Sequence, residues 1–323
     1  MQNVRIDSSS AGQRLDNFLA KILKGVPRTH LYRVIRSGEV RVNKGRAGAD
    51  TRLGLGDEVR IPPVRTADRS EVAPAPPREF PIVFEDEHLL AIDKPAGVAV
   101  HGGSGESFGV IEQLRRARPD AEFLELVHRL DKETSGLLLI ARTRKALVAL
   151  QYDLRSRSAE RAIGKTYAAL VAGAWPDNRK VIDVALHKYV DADGARRVRT
   201  VAADDDQGRR SITLVRVAER WPAYSLLDVT IKTGRTHQIR VHLASEGHVV
   251  VGDPRYGDFA LNKALARGTA VPGVRFERMF LHARRLRFVH PATGEAVSLE
   301  APLPDACVRL LQAMRTAATE ASS

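Results

Sequence analysis

The stretch "PPVRTADRSEVAPAPPREFP", residues 62 to 81, constrains this chain more than any other. Proline fixes φ and removes a backbone donor, so six prolines without apolar periodicity fit neither a helix interior nor a central strand. The segment reads as an extended linker. A chain of 323 residues is also more than one hydrophobic core usually serves. Two domains follow, with their boundary here.

Before the linker, "RLDNFLAKILK" sets Leu15, Phe18, Leu19, Ile22 and Leu23 on one helical stripe, ended by Gly25 and Pro27. "RTHLYRVIRSG" aligns Leu31, Val34 and Ile35, with Arg28, Arg33 and Arg36 available elsewhere and Gly38 as its cap. "EVRVN" and "DEVRIP" alternate as short strands around turn signals. After the linker, seven stretches from "IVFEDEHLLAIDKP" to "RLRFVHP" read as strands. "FGVIEQLRRARP" and "RKALVALQYDLRSR" read as helices, the latter with Leu147, Leu150 and Leu154 on one side. Strands outnumber helices without alternating with them, which predicts an α+β domain with a mainly antiparallel mixed sheet.

Charge is unevenly placed. The whole chain carries 51 Lys and Arg against 39 Asp and Glu. Residues 1 to 65 hold 13 basic and 6 acidic side chains, a net of +7 out of +12. Such a patch suits a polyanion, most simply nucleic acid, or is a solvated basic surface. One cysteine, Cys307, excludes an intramolecular disulfide and a thiolate metal cluster. The start has no apolar stretch of signal-peptide type, and no segment approaches the ~20 apolar residues of a membrane helix. A cytoplasmic protein is expected.

"LVHRLDKETSGLLLIAR", residues 126 to 142, places Asp131 between Arg129 and Lys132 on a loop entering an apolar strand. Nearby cations favour the charged carboxylate. It is then a nucleophile or an electrostatic stabiliser, or else a loop cap bonded to Thr134 or Ser135. "IKTGRTHQIRVHL" crowds Lys232, Arg235, His237, Arg240 and His242 around a turn; the five-residue spacing of the histidines does not suit a zinc pair. Gly164, Lys165 and Thr166 mimic a phosphate loop, but Ala159 stands where that motif needs glycine. Tyr167 opens a strand, where a ring can stack on a base or simply pack. "DKPAGVAVHGGSG" is a glycine-rich loop around His101.

Taken in order, "HRLDKETSGLLLIAR", "KTY", "KTGRTHQIRVHL", "GDPRYG" and "LHA" resemble the RluA family of pseudouridine synthases, and the intact chain its RluC branch. The N-terminal module resembles the small RNA-binding domain named after ribosomal protein S-four. The resemblance implies an S-four-type domain over 12–65, the linker over 66–81, a catalytic domain over 82–304 and a C-terminal tail over 305–323. It implies isomerisation of specific uridines of large-subunit (23S) ribosomal RNA, by Asp131 acting on a flipped-out uridine. Tyr167 would stack on the uracil and serve in proton transfer, and Arg235 would pair with Asp131. Arg129 would enter the RNA, while Arg28, Arg33, Arg36 and Lys44 bind it. No cofactor and no metal are implied. The partner is large-subunit ribosomal RNA or an assembly intermediate, with no membrane, and the enzyme is a monomer. A noncatalytic RNA-binding protein on the same fold is the competing reading, and a nucleoside or RNA hydrolase a further one.

Overall fold

The structure is a computed structural model that describes residues 1–23, 25–64, 75–103, 106–156, 162–191, 194 and 196–320. The chain divides into two compact units, Met1–Ala75 and Pro76–Ser323. Most of the expected linker, residues 65–74, lies outside the described residues.

In the first unit, β1 (Gln2–Arg5), α1 (Leu15–Ile22), α2 (Arg28–Arg36), β2 (Arg41–Val42), β3 (Gly45–Arg46) and β4 (Glu58–Ile61) follow in order. The strands form an antiparallel sheet ordered β1-β4-β2-β3. Leu15, Phe18 and Leu19 of α1 and Leu31, Val34 and Ile35 of α2 pack with Val59 and Ile61 of β4. The α2 stripe is the face the sequence predicts; on α1 the face holds from Leu15 to Leu19, while Ile22 at the helix end is exposed and Leu23 partly buried. Gly38 ends α2 with φ 75°. Asn43 and Lys44 take φ of 48° and 67°, the left-handed pair that a two-residue hairpin turn requires. The unit begins earlier than the expected residue 12, because β1 pairs with β4 from Gln2↔Ile61 to Arg5↔Glu58.

The second unit contains β5 (Ile82–Glu85), β6 (Leu89–Lys94), α3 (Val110–Ala117), β7 (Glu125–Leu126), β8 (Ser135–Ala141), α4 (Arg144–Asp153), β9 (Gly164–Ala172), β10 (Val181–Asp183), β11 (Ala185–Val190) and β12 (Arg196–Val201). There follow β13 (Ile212–Trp221), β14 (Tyr224–Ile231), α5 (Gln238–Ser245), α6 (Phe259–Arg267), β15 (Leu281–Val289), β16 (Ala296–Glu300) and α7 (Asp305–Glu320). The main sheet runs β10-β13-β14-β9-β15-β8-β6-β5, with β16 on β15 and β7 on β8; β11 and β12 form a separate hairpin. Its pairs are antiparallel except β15 with β8, so the α+β class with a mainly antiparallel mixed sheet holds.

Both faces of this sheet are covered, which explains why β8 reads as an unbroken apolar run rather than an alternating one. Leu138 and Ile140 face a core shared with Tyr167, Ala169, Val171 and helices α3 and α5. Leu137 and Leu139 face the opposite side, where Ala146 and Leu150 of α4 lie. Two expected boundaries are corrected. Phe80, assigned to the linker, is buried with Leu90 and Ile92, so residues 76–81 belong to the catalytic unit. The expected tail 305–323 is largely α7, whose Cys307, Leu310, Leu311 and Met314 pack against Leu170 of β9. Its apolar residues recur at helical spacing, and burying them stabilises the helix end to end. No helix among the described residues is long and apolar enough to cross a membrane.

Candidate active site

Asp131 opens a turn leading into β8. Thr134 N–H donates to the Asp131 backbone carbonyl at 3.1 Å, so the main chain closes the turn. The loop-cap reading needs the carboxylate to bond Thr134 or Ser135. Its hydrogen bond comes instead from Arg240 Nη1, at 3.3 Å on Oδ2. The loop is clamped from the other side by Lys94, which is fully buried at the end of β6. Lys94 Nζ donates to the carbonyls of Pro95 and Val98, both at 2.8 Å, and of Lys132 at 3.1 Å. Gly97 N–H reaches the same Lys132 carbonyl at 2.9 Å. The "DKPAG" run is therefore a clasp around the Asp131 loop, and burial pulls the Lys94 ammonium down to about 7.

The register of β8 is fixed by a close approach. Gly136 has φ 109°, and a Cβ there would lie 2.3 Å from the Ala283 carbonyl oxygen. Only glycine lets β8 meet β15 in the parallel pair Ser135↔His282, Gly136↔Ala283.

The facing wall is the turn after β14 and the start of α5. Gln238 pins it: its Oε1 accepts from Thr233 Oγ1 (2.8 Å) and Arg235 N–H (3.1 Å). Its Nε2 donates to the Ile212 carbonyl (2.9 Å) and Thr213 Oγ1 (3.0 Å). His237, the residue before α5, sits in the left-handed region at φ 53°, uncommon for a side chain of this size. That geometry brings its Nε2 to 4.0 Å from Asp131 Oδ2. Arg240 lies one turn along the helix. Its Nε and Nη2 donate to the two oxygens of Asp253 at 2.7 Å each, and its guanidinium lies 5.0 Å from the Tyr256 ring centroid. Asp253 is wholly buried and also accepts from Arg255 N–H (2.8 Å) and Tyr256 N–H (3.0 Å). Burial works against its charge, but these donors hold the carboxyl below its usual range.

Tyr256 completes the wall. Its oxygen accepts from Val198 N–H of β12 at 3.2 Å and lies 2.8 Å from His237 Nδ1. When the phenol donates to Nδ1, the imidazole proton lies on Nε2, facing Asp131. Burial, with the charges of Arg240 and Arg255, holds His237 down to about 4 against the pull of Asp131, so the ring is neutral near pH 7.

Tyr167 and Lys165 rise from β9 on the third side. Tyr167 is buried, and burial followed by the Asp131 charge pushes its phenol up, so it stays protonated. Burial pulls Lys165 down to about 8. His128 accepts from Leu139 N–H through Nε2 at 3.1 Å, and burial plus the Lys165 charge hold it down to about 3. These groups line a cavity of about 420 Å³ in which Asp131 is the one carboxylate among the described residues.

The sequence expectations divide here. Asp131, Tyr167, Arg129 and Arg235 all line this cavity, with Arg129 and Arg235 exposed. The pairing of Arg235 with Asp131 is corrected. Arg235 makes no ion pair among the described residues, and Arg240 holds the carboxylate because α5 turns its side chain inward. Arg28, Arg33 and Arg36 on α2, and Lys44 on its hairpin turn, are exposed in the first unit. His242 is buried and bonded to Thr213 and the Val184 carbonyl, a core histidine. Part of the His101 loop, residues 104–105, lies outside the described residues. The roles of Lys94, His237, Arg240, Asp253 and Tyr256 are absent from the residue reading. Arg240 falls three after His237, helical spacing that would have paired them had α5 been recognised. No group of three or more His, Cys, Asp or Glu among the described residues is placed to hold a metal ion.

A lone carboxylate ringed by cations, in a chain that also carries a separate basic module, defines a nucleic-acid-modifying enzyme. Comparison with known proteins gives the class its content. The family described as RNA pseudouridylate synthase matches residues 88–245, and the S4 domain matches residues 13–59. "Ribosomal large subunit pseudouridine synthase C" of Salmonella typhimurium is 47% identical over 320 residues, covering 97% of each chain. The protein of that name from Escherichia coli K12 matches to the same extent. Among solved structures, "Human RNA Pseudouridylate Synthase Domain Containing 4" is 26% identical with a TM-score of 0.58, covering 73% of this chain and 93% of its own. The chain belongs to the RluA family of RNA pseudouridine synthases and carries an S4 domain.

Proposed function

We propose that this enzyme isomerises uridines of large-subunit ribosomal RNA, with Asp131 as the reacting carboxylate. The observation that carries the reading is the cavity in which Asp131 is the one carboxylate among the described residues and is gripped by buried Arg240. Ionised Asp131 stabilises positive charge at the sugar carbon as the bond from C1′ to uracil N1 breaks. Uracil turns, its C5 bonds to C1′, and the proton leaves C5. Tyr167 is buried and protonated, so it offers a ring face and a hydrogen-bond donor rather than a base. Asp131, its charge no longer opposed by the sugar, takes the C5 proton; N1, freed when its bond to C1′ broke, gains a proton in turn, so the carboxylate is ionised again at the end. The target must leave its stack, which costs a few kcal/mol, less for an unpaired base.

Arg129, exposed at the cavity rim, enters the helix to displace the nucleotide. Arg28, Arg33, Arg36 and Lys44 bind phosphates. In this reading the enzyme is a monomer that acts in the cytoplasm on ribosomal RNA or an assembly intermediate. The relatives' printed names supply the substrate class.

The test is to incubate large-subunit RNA, naked and partly assembled, with wild type and Asp131→Asn, then count pseudouridine by mass spectrometry. The variant keeps the shape and loses the charge. Turnover should fall by several orders of magnitude while RNA affinity changes little. Comparable product from the variant would remove Asp131 from the chemistry, and no product from wild type on any such RNA would remove the substrate.

A further inference from the structure

Lys165 is a cation without an anion among the described residues. It stands on β9 two residues before Tyr167, so both side chains rise from the same face of the strand. No hydrogen bond or ion pair to its ammonium occurs among the described residues. A Cβ placed on Gly234 would lie 3.4 Å from its Nζ, so the amine sits directly beneath the turn that follows β14. Lys165 is half-buried, and a partly desolvated ammonium without a partner is costly, a cost that an anionic ligand offsets.

A second cavity of about 530 Å³ opens on the other side of Lys165. It shares Leu154, Lys165, Ile231 and Gly234 with the Asp131 cavity, so the two adjoin. Lys232 and Arg287 stand on its walls with exposed side chains and, like Lys165, make no ion pair among the described residues. Against these three cations it has one carboxylate among the described residues, Asp153. Its remaining surface is largely apolar, including Ile231 and Phe288. Cations over an apolar floor are what a nucleotide needs: a partner for its phosphate and a surface for its base.

We infer that this second cavity is a subsite for the nucleotide adjacent to the target uridine, with Lys165 binding the phosphodiester that joins the two. The inference rests on the proposed uridine chemistry at Asp131, because it places the target in the first cavity. A phosphodiester is the one anion that RNA carries at every linkage. The shared Lys165 lies where the strand must pass from one cavity to the other. The subsite makes the enzyme sensitive to the sequence and conformation flanking its target, through groups that take no part in bond making.

The test uses the full chain and a large-subunit RNA fragment on which wild type forms pseudouridine. Lys165→Met keeps length and removes charge. KM should rise about tenfold or more, and the log–log salt slope should flatten by about 0.7, one phosphate contact. Lys165→Arg should recover most of the loss. Melting temperature should not fall in Lys165→Met, because an unpaired half-buried charge is replaced by an apolar chain. A second arm places one uncharged methylphosphonate at each linkage flanking the target in turn. One position should raise KM for wild type and cause no further rise for Lys165→Met. The double variant Lys232→Ala, Arg287→Ala, altered only at exposed positions, should raise KM with kcat little changed. A wild-type salt slope and KM in Lys165→Met, or equal methylphosphonate penalties in both proteins, would overturn the subsite while leaving the Asp131 chemistry intact. Absence of pseudouridine with wild type would overturn both.

Discussion

Arg240 holds Asp253 and Asp131 at once, the first through two bonds of 2.7 Å and the second through one of 3.3 Å. The buried Asp253 thus fixes the guanidinium that fixes the reacting carboxylate. Arg240→Ala leaves Asp253 charged and unpaired in the interior, and should cost about 3–5 kcal/mol in urea unfolding. Arg240→Lys keeps the charge but not the planar fork that serves two carboxylates. Its turnover should fall at least about tenfold, with RNA affinity nearly unchanged. Full turnover in Arg240→Lys would show that the geometry at Asp131 is set elsewhere.

Tyr256→Phe keeps the ring over Arg240 and deletes the hydroxyl between Val198 and His237. The imidazole proton is then no longer directed to Nε2. Nitrogen NMR of labelled histidine should show His237 with its proton on Nε2 in wild type and distributed over both nitrogens in the variant. Turnover should drop severalfold in parallel. A wild-type proton on Nδ1 would refute the assignment.

The clasp at Lys94 makes a prediction about pH. Burial lowers this ammonium from 10.5 to about 7. Between those values the unfolded chain holds the proton and the folded chain releases it. Stability relative to Lys94→Met should therefore fall as pH drops from 10.5, or equivalently change, with the sign expected where the unfolded state binds more protons: the folded chain's relative free energy varies across pH 7 to 10.5 and is flat below about 7. At pH 6, where the wild-type lysine is charged, the variant also strands the carbonyls of Pro95, Val98 and Lys132, each worth about 1–3 kcal/mol when left unpaired in the interior. Denaturant titration of both proteins across pH 6 to 10 measures the slope, which should be positive for wild type relative to the variant; a flat difference would exclude a buried titrating lysine.

Asp131 stood out locally as a carboxylate at the mouth of an apolar strand, but its neighbours also fitted a loop cap, and Tyr167 also fitted ordinary strand packing; the resemblance, not local patterning, gave both their roles. The helices of the N-terminal unit were legible because one face of each is apolar and the other charged. Helix α5 was not, because Gln238 through Leu243 are all buried and the amphipathic signal vanishes. With the helix hidden, Arg240 had no assigned face, and Arg235, nearer the turn glycine, took its place. The clasp, the Asp253 brace and the Tyr256 bond were hidden for another reason. Each depends on how the chain closes in three dimensions, and local patterning carries no trace of that.

Replacing Arg28, Arg33, Arg36 and Lys44 together by Gln in the full chain should weaken RNA binding and flatten its salt dependence. The slope should drop by about 0.7 to 0.9 for each phosphate no longer engaged. All four side chains are exposed, so the fold should persist, as circular dichroism would verify. An unchanged slope would mean that these cations do not touch the backbone of the RNA.

Ser135 and His282 stand opposite each other where β8 runs parallel to β15, and their side chains bond at 2.8 Å across 147 residues of chain. Closing so long a loop costs entropy before any pairing compensates for it, and pairings of this kind are slow to form. Until β15 arrives, β8 lacks the neighbour that Gly136 is shaped to admit, and the loop at its mouth is held from one side alone, by the Lys94 clasp. Contact distance along the chain thus sets an expectation in time: local helices should form before this pairing, and competence to modify RNA should come with it. In a refolding experiment, activity should lag behind the recovery of helical signal.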